Sequence, residues 1–335
     1  MNPAASLKVG FDLDGSLESL GNSMVELGDA LEATGECTLV RFRTRQAAQQ
    51  SGEVRLPQRS LWLPLWRRSL GRSLDGLLPP VDVVHLAGLA TPPSKVIPLV
   101  ISVDDLRPLR GETRLHQRAH QLKRAVEHGA RIVASTRTAS HEVQEVLGIE
   151  RSQITVVSPV VPKVHTTVDG RNLVVNVTGL TDRFLTLAPE LVRFASSKDA
   201  RVIVVASAKS SQQIRSRGLD IVTLPRERAR EALGEGWVVL HISDGARFPS
   251  FAIAALAAGV PTLARSTSIN RELLGGAAAL VESDHDTMAT LSEVWENQSY
   301  RAVLQAAGQI RATDFDATTV ARAYVALYRD VVRGW

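Results

Sequence analysis

The chain has 335 residues, enough for two domains of ordinary size, and its 44% hydrophobic content describes a globular protein able to bury sizeable cores. A formal net charge of +4 with a pI of about 9.5 favours anionic partners without choosing one, and an aromatic content of 4% leaves few stacking platforms for single-stranded nucleic acid, so no nucleic-acid partner is expected. The single cysteine, Cys37, excludes an internal disulfide framework and a cysteine-built zinc cluster. Residues Met1 to Lys8 contain no apolar core of signal-peptide length. The longest uncharged run, Phe248 to Ala264, is broken by Pro249, Gly259 and Pro261 and is too short to span a bilayer. A cytoplasmic location is expected, with contact to a membrane surface peripheral if it occurs.

Short β-rich runs alternate with helical stretches along the whole chain. Strands are predicted at Lys8–Leu13, Cys37–Phe42, Asp82–Leu86, Pro98–Val103, Arg131–Ala134 and Ile154–Val157. A second set follows at Leu173–Val177, Arg201–Ala206, Asp220–Leu224, Trp237–Ile242, Pro261–Ala264 and Ala278–Val281. Most are continuous apolar runs, as parallel strands covered on both faces require. Helices are predicted between them, among others at Leu20–Ala33, Glu112–His128, Thr138–Leu147 and Arg226–Leu233, and a last one at Ala317–Val332. This alternation is an α/β architecture. Ser158 to Arg171, with Pro159, Pro162 and Gly170, reads as a linker, giving an N-terminal domain over 1–163, a C-terminal domain over 170–315 and a closing helix over 316–335.

One basic stretch, from Arg55 to Pro80, interleaves Trp62, Leu65, Trp66, Leu70 and Leu74 with Arg59, Arg67, Arg68 and Arg72. It reads either as an interfacial helix meeting anionic lipid or as an amphipathic connection packed on its own sheet with a solvated arginine face.

The first strand ends in "DLDG", Asp12 to Gly15 preceded by an apolar run, and resembles the opening of haloacid dehalogenase-type phosphatases. That resemblance implies Asp12 as nucleophile, Asp14 as acid/base, a later lysine, and magnesium on a later acidic pair. "HISDGARF" (His241–Phe248) supplies one carboxylate, Asp244, without a partner, and Lys209 is distant, so the charge neutraliser is missing. The phosphatase stays a remote alternative.

Three other segments carry a stronger resemblance. "DVVHLAG" (Asp82–Gly88) precedes a strand ending in "VISVDDLRPL". After a helix comes "ARIVASTRTASHEVQEVLGIERSQITVVSPVV" (Ala130–Val161), and late in the chain stands "VLHISDGARFPSFAIAALAAGVPTLARSTSINRELLGGAAALVES" (Val239–Ser283). Their order and spacing resemble glycosyltransferase family 4, nucleotide-sugar enzymes of the GT-B fold, over nearly the whole chain. The resemblance implies two Rossmann-like doubly wound parallel-sheet domains facing across a cleft, the first on the acceptor side and the second on the nucleotide-sugar side. It also implies a closing helix that crosses back to the first domain, and no metal or other cofactor. Gly21 takes the place of the family's loop glycine over the donor phosphates, with Asp12 and His85 on the acceptor side.

The family's donor pattern is broken in several places. Where it has an Arg-Lys pair for the diphosphate, "VTGLTDRFL" offers Arg183 followed by Phe184. Its two glutamates, seven residues apart in between, are replaced by Ala246 and Ala254, and its glycines nearby by Arg247 and Pro249. Asp104 stands where a His usually meets the reacting sugar, and Glu272 falls where the family has a structural Glu. A two-residue slip would bring Asp244 to the first glutamate position but Ala252 to the second. Each lost charge-assisted hydrogen bond is worth about 1.5–3 kcal/mol, so losing the ribose carboxylate and the phosphate lysine weakens donor binding roughly 100- to 10,000-fold. The expected function is therefore a degenerate, non-catalytic or partner-dependent glycosyltransferase subunit of glycan or cell-envelope assembly. Its expected partners are another protein or a second copy of the chain, with peripheral contact to anionic membrane through Arg55 to Pro80. The alternative is an active retaining transferase that moves a hexose from a nucleotide-diphosphate sugar, with phosphate held by Arg183, Arg247 and a helix N-terminus.

Overall fold

The computed structural model describes residues 6–14, 23–44, 52–56, 65–66, 71–87, 92–103, 115–161, 170–245 and 247–335. Its contacts divide into two compact units. Unit 1 runs to Val160 and takes in Ala317–Trp335, and unit 2 covers Val161–Asp316.

Unit 1 contains β1 (Leu7–Asp12), β2 (Cys37–Phe42), β3 (Val83–Ala87), β4 (Leu99–Val103), β5 (Arg131–Ala134) and β6 (Ile154–Val156), all parallel, in the spatial order β2-β1-β3-β4-β5-β6. Every residue of β3 and β4 is buried, which is why these strands read as unbroken apolar runs. α1 (Ser23–Ala33) connects β1 to β2. α2 (Leu115–Glu127) and α3 (Arg137–Leu147) flank β5. α3 starts where Thr136 accepts a hydrogen bond from the Ala139 N–H (2.8 Å) and stops at Gly148, whose left-handed φ of 60° closes the last turn.

Unit 2 contains β7 (Asn172–Thr178), β8 (Val202–Ala206), β9 (Ile221–Pro225), β10 (Gly236–Ser243), β11 (Thr262–Arg265) and β12 (Ala279–Val281). They too are all parallel, ordered β12-β11-β10-β7-β8-β9. Its helices are α4 (Thr181–Ser197), α5 (Ala208–Arg215), α6 (Ala229–Gly234), α7 (Ser250–Ala257), α8 (Ser268–Leu274), α9 (Asp284–Glu296) and α10 (Gln298–Ala312). Apolar cores lie on both faces of this sheet. One centres on Val174, Val239, Phe251 and Leu274, the other on Val175, Phe184, Leu191 and Leu240.

The last helix, α11 (Ala317–Gly334), belongs to unit 1. It buries Val320, Ala321, Tyr324, Val325, Leu327, Tyr328 and Val331, packing with α1 and β3 in one core. Burying each large apolar side chain contributes roughly 1.5–3 kcal/mol. The contact also has a polar centre. His85 of β3 is fully buried, its Nδ1 is 2.7 Å from the Tyr328 hydroxyl, and its Nε2 is 2.8 Å from Ser102 Oγ. The imidazole stacks on Tyr324 at 5.0 Å and meets Phe11 edge-on at 5.3 Å. Burial pushes its pKa down to about 3, so it is a neutral hydrogen-bonding group. Outside the core, Arg329 pairs with Glu36 at 2.6 Å, adding less because both are partly exposed.

Tyr328→Phe keeps the ring and removes one partner of a buried imidazole nitrogen. Urea denaturation of this variant is expected to show about 1–3 kcal/mol of lost stability. A change below a few tenths would mean that the hydroxyl does not hold His85.

Candidate functional site

In unit 2 the order in which the parallel strands are laid down reverses between β7 and β10: β7, β8 and β9 are added toward one edge of the sheet, and β10, β11 and β12 toward the other. Open α/β sheets bind ligands outside the carboxyl ends of the strands at such a switch point. Two tight turns stand there. Gly179 follows β7 at φ +77°, and a Cβ on it would lie 2.5 Å from Asp244 Oδ2. Gly245 follows β10 at φ +70°, and a Cβ there would lie 2.7 Å from Thr267 Cβ. Both positions require glycine, for backbone angle and for space. Beyond Gly245 the chain enters α7 at Pro249, without a side-chain cap, so the positive end of this helix lies at the strand ends.

Beneath these turns the strands carry a polar square. Asn176 pairs in register with His241, and Thr178 with Ser243, so all four side chains point to the face that also holds Val174 and Val239. Asn176, His241 and Ser243 are buried, whereas Thr178 is half-buried. Thr178 Oγ1 donates to Asn176 Oδ1 at 3.3 Å. Asn176 Nδ2, both ring nitrogens of His241 and Ser243 Oγ have no hydrogen-bond partner among the described residues. Burial pushes the His241 pKa down to about 4, so the imidazole is neutral, with one donor and one acceptor. A signal for the square exists in "VVNVT" and "VLHIS", where a polar residue recurs at every second position of an apolar strand, but nothing in the sequence tells such residues from satisfied ones.

The residues singled out for the donor are placed differently from one another. Arg183, in the first turn of α4, gives its guanidinium to Asp284 at the start of α9, with Nε 2.8 Å from Oδ1. Phe184 is fully buried in the core on the α4 face of the sheet. Ala254 is fully buried in the core beneath α7. Arg247 is half-buried just before α7, Lys209 is exposed on α5, and Glu272 is half-buried on α8, its carbonyl accepting from Arg311 at 2.9 Å. Gly21, Asp104, Ala246 and Trp62 lie outside the described residues.

Unit 1 has its own reversal, between β1 and β3. At the end of β1 the two carboxylates of the phosphatase-like motif turn inward. Asp12 is 1% exposed and Asp14 is 4% exposed, and the Thr44 hydroxyl lies between them, 2.8 Å from Asp12 Oδ2 and 3.1 Å from Asp14 Oδ2. Asp12 Oδ1 accepts from the N–H groups of Asp14 (3.1 Å) and Thr44 (3.3 Å). Burial and then the neighbouring Asp14 raise the Asp12 pKa from 3.8 to about 7, outweighing the hydrogen bonds that lower it. One hydroxyl proton cannot serve two carboxylates at once, so a protonated Asp12 donating to Thr44, and Thr44 to Asp14, satisfies both contacts. Beside them Arg43 pairs with buried Glu53 at 3.1 Å and donates to the Leu13 carbonyl at 3.3 Å. Asp12 is thus a buried group and not an exposed, ionised nucleophile. His85, expected on the acceptor side, is the core residue that anchors α11. Trp66 is also a core residue, not a surface anchor: its indole donates to the Arg72 carbonyl at 2.9 Å. Among the described residues, no group of three or more His, Cys, Asp or Glu could hold a metal ion, and no helix is long and apolar enough to cross a membrane.

Two Rossmann-like units, each a six-stranded parallel sheet clad in helices, define the GT-B class of fold. Solved structures bear this out. WaaG, a glycosyltransferase involved in lipopolysaccharide biosynthesis, matches with a TM-score of 0.68 at 13% identity, over 96% of this chain and 99% of its own. Sucrose-phosphate synthase from Thermosynechococcus elongatus matches with a TM-score of 0.66 at 14% identity, over 98% and 99%. HepE from Anabaena, solved with UDP and glucose, matches with a TM-score of 0.64 at 14% identity, over 97% and 100%. No protein-family profile and no curated protein matches the chain. At these identities the likeness is one of fold, and it is the GT-B architecture that the sequence led one to expect.

Two outcomes test this geometry. The folded chain holds the Asp12 proton more tightly than the unfolded chain does. Its contribution to stability is therefore complete below about 3.8 and is lost as pH rises through about 7. Urea midpoints measured between pH 5 and 8 should fall with rising pH by the equivalent of a few kcal/mol, and Asp12→Asn should flatten that slope. Gly179→Ala should cost about 1–3 kcal/mol in the same measurement, because a β-carbon there meets Asp244 in a left-handed turn.

Proposed function

We propose that the chain is a glycosyltransferase homologue of glycan or cell-envelope assembly whose donor side is degenerate, acting as a non-catalytic or partner-dependent subunit. One observation supports this: where the family-4 resemblance puts a phosphate lysine and a carboxylate the chain has buried apolar side chains, and the remaining arginine is shared with a carboxylate. Phe184 and Ala254 are core side chains, and Arg183 is engaged by Asp284. A diphosphate leaving group needs preorganised positive charge where its own charge develops, and an arginine already neutralised by a carboxylate gives less of it. A protein partner or a second copy would then complete the machinery. Contact with anionic membrane through Arg55 to Pro80 would rest on the arginines of that stretch, since Trp66 is inside.

The second reading is an active retaining transferase. The glycine turns at Gly179 and Gly245, the uncapped start of α7 and the nearby Arg247 favour it, because they are an anion-binding strand end in outline. HepE, with UDP and glucose, and WaaG show what relatives in fold do.

Incubation of the purified protein with UDP-, GDP- and ADP-sugars, with release of nucleoside diphosphate followed by chromatography, separates the two. The degenerate site is expected to give no release above background, in the wild type and in Arg183→Ala alike. Turnover that Arg183→Ala abolishes would replace that reading with the active transferase.

A further inference from the structure

Four polar atoms in one place have no partner among the described residues. Asn176, His241 and Ser243 are 1%, 3% and 4% exposed, and their strand neighbours on this face include Val205 beside Asn176 on β8, Ala264 beside His241 on β11, and Val174 and Val239 one step down the strands. Buried polar side chains in folded proteins are almost always hydrogen-bonded, and a sheet core could hold apolar residues here without penalty. The donor–acceptor balance says what the occupant is. Asn176 Nδ2 donates, neutral His241 donates from one nitrogen and accepts at the other, and Ser243 does both. No charged side chain shifts His241, whose only perturbation is burial. A phosphate or carboxylate would find acceptors facing it as well as donors, while a hydroxyl, itself donor and acceptor, matches every atom. Half-buried Thr178 marks the open side, toward the strand ends and the turns at Gly179 and Gly245.

We propose that Asn176, Thr178, His241 and Ser243 form a subsite for the hydroxyl groups of a sugar ring. It rests on the reading that unit 2 is the nucleotide-sugar side. The ring is either the ribose of a nucleotide or the hexose attached to it, and the two share the chemistry that the square recognises. Gripping hydroxyls from the sheet gives unit 2 a means of holding such a ligand that does not depend on the substituted positions Phe184 and Ala254.

The test combines stability with binding. His241→Leu replaces the imidazole with an apolar group of similar volume, and Ser243→Ala removes a single hydroxyl. Without ligand, His241→Leu is expected to raise Tm by a few degrees, because an unpartnered polar group leaves the core. Calorimetric titration uses UDP, 2′-deoxy-UDP and UDP-glucose. The wild type should bind UDP about 10-fold more tightly than 2′-deoxy-UDP if the ribose is the occupant, or UDP-glucose about 10-fold more tightly than UDP if the hexose is. In both variants that discrimination should disappear. If the variants discriminate as the wild type does, the subsite is overturned while the nucleotide-sugar reading stands. If no nucleotide binds the wild type, that reading falls, and methyl glucoside and methyl riboside titrated into the same proteins decide the subsite. Binding of either that His241→Leu abolishes keeps it, and no binding overturns it. A lowered Tm with unchanged affinity in His241→Leu would also overturn it, marking a hydrated structural site.

Discussion

Parallel sheets covered on both faces leave a polar strand residue nowhere to reach solvent. Each such side chain must find a partner inside, and an unmatched one costs about 1–3 kcal/mol. That constraint separates the polar residues of this protein into those that build the fold and those that await something. His85 meets it through Tyr328 and Ser102, and in doing so ties the last helix to the sheet of unit 1. Asp12 meets it through Thr44, two backbone N–H groups and a proton of its own. Among the described residues Asn176 meets it only at its amide oxygen, and the side chains of His241 and Ser243 do not meet it.

The same constraint explains why a motif can mislead. "DLDG" has the residues of a phosphatase nucleophile, but chemistry needs an exposed, ionised carboxylate beside a metal, and here burial and a second carboxylate favour the protonated form. His85 is a comparable case. A histidine near a strand end is an attractive acceptor ligand on paper, whereas with both nitrogens engaged in a dry core it is a structural linchpin. Arg183 differs: its charge is real and partly exposed, but a carboxylate from α9, about a hundred positions away in the chain, already neutralises it.

The glycines at the unit 2 strand ends complete the physical picture. Gly179 and Gly245 let the backbone turn sharply where β7 and β10 end, bringing the Asp244 carboxylate over one turn and Thr267 against the other. A helix start and the open edge of the polar square lie next to these turns.

The twelve strands were legible in the sequence, nearly to the residue, because parallel strands buried on both faces must be short apolar runs. Cys37–Phe42 and Arg131–Ala134 coincide with the predicted spans. Glycine and capping residues marked where many of the turns fall, and strand-helix alternation fixed the α/β class. What the sequence could not decide was which polar residues are satisfied, since that depends on neighbours distant in the chain. Tyr328 lies 243 positions from His85, and Thr44 lies 32 from Asp12. Only the tertiary structure brought those pairs together, and only it left His241 buried with no partner for either nitrogen among the described residues. Residue type and spacing determine the chain's path, while burial and hydrogen-bond accounting, which exist only after packing, determine what each polar group is free to do.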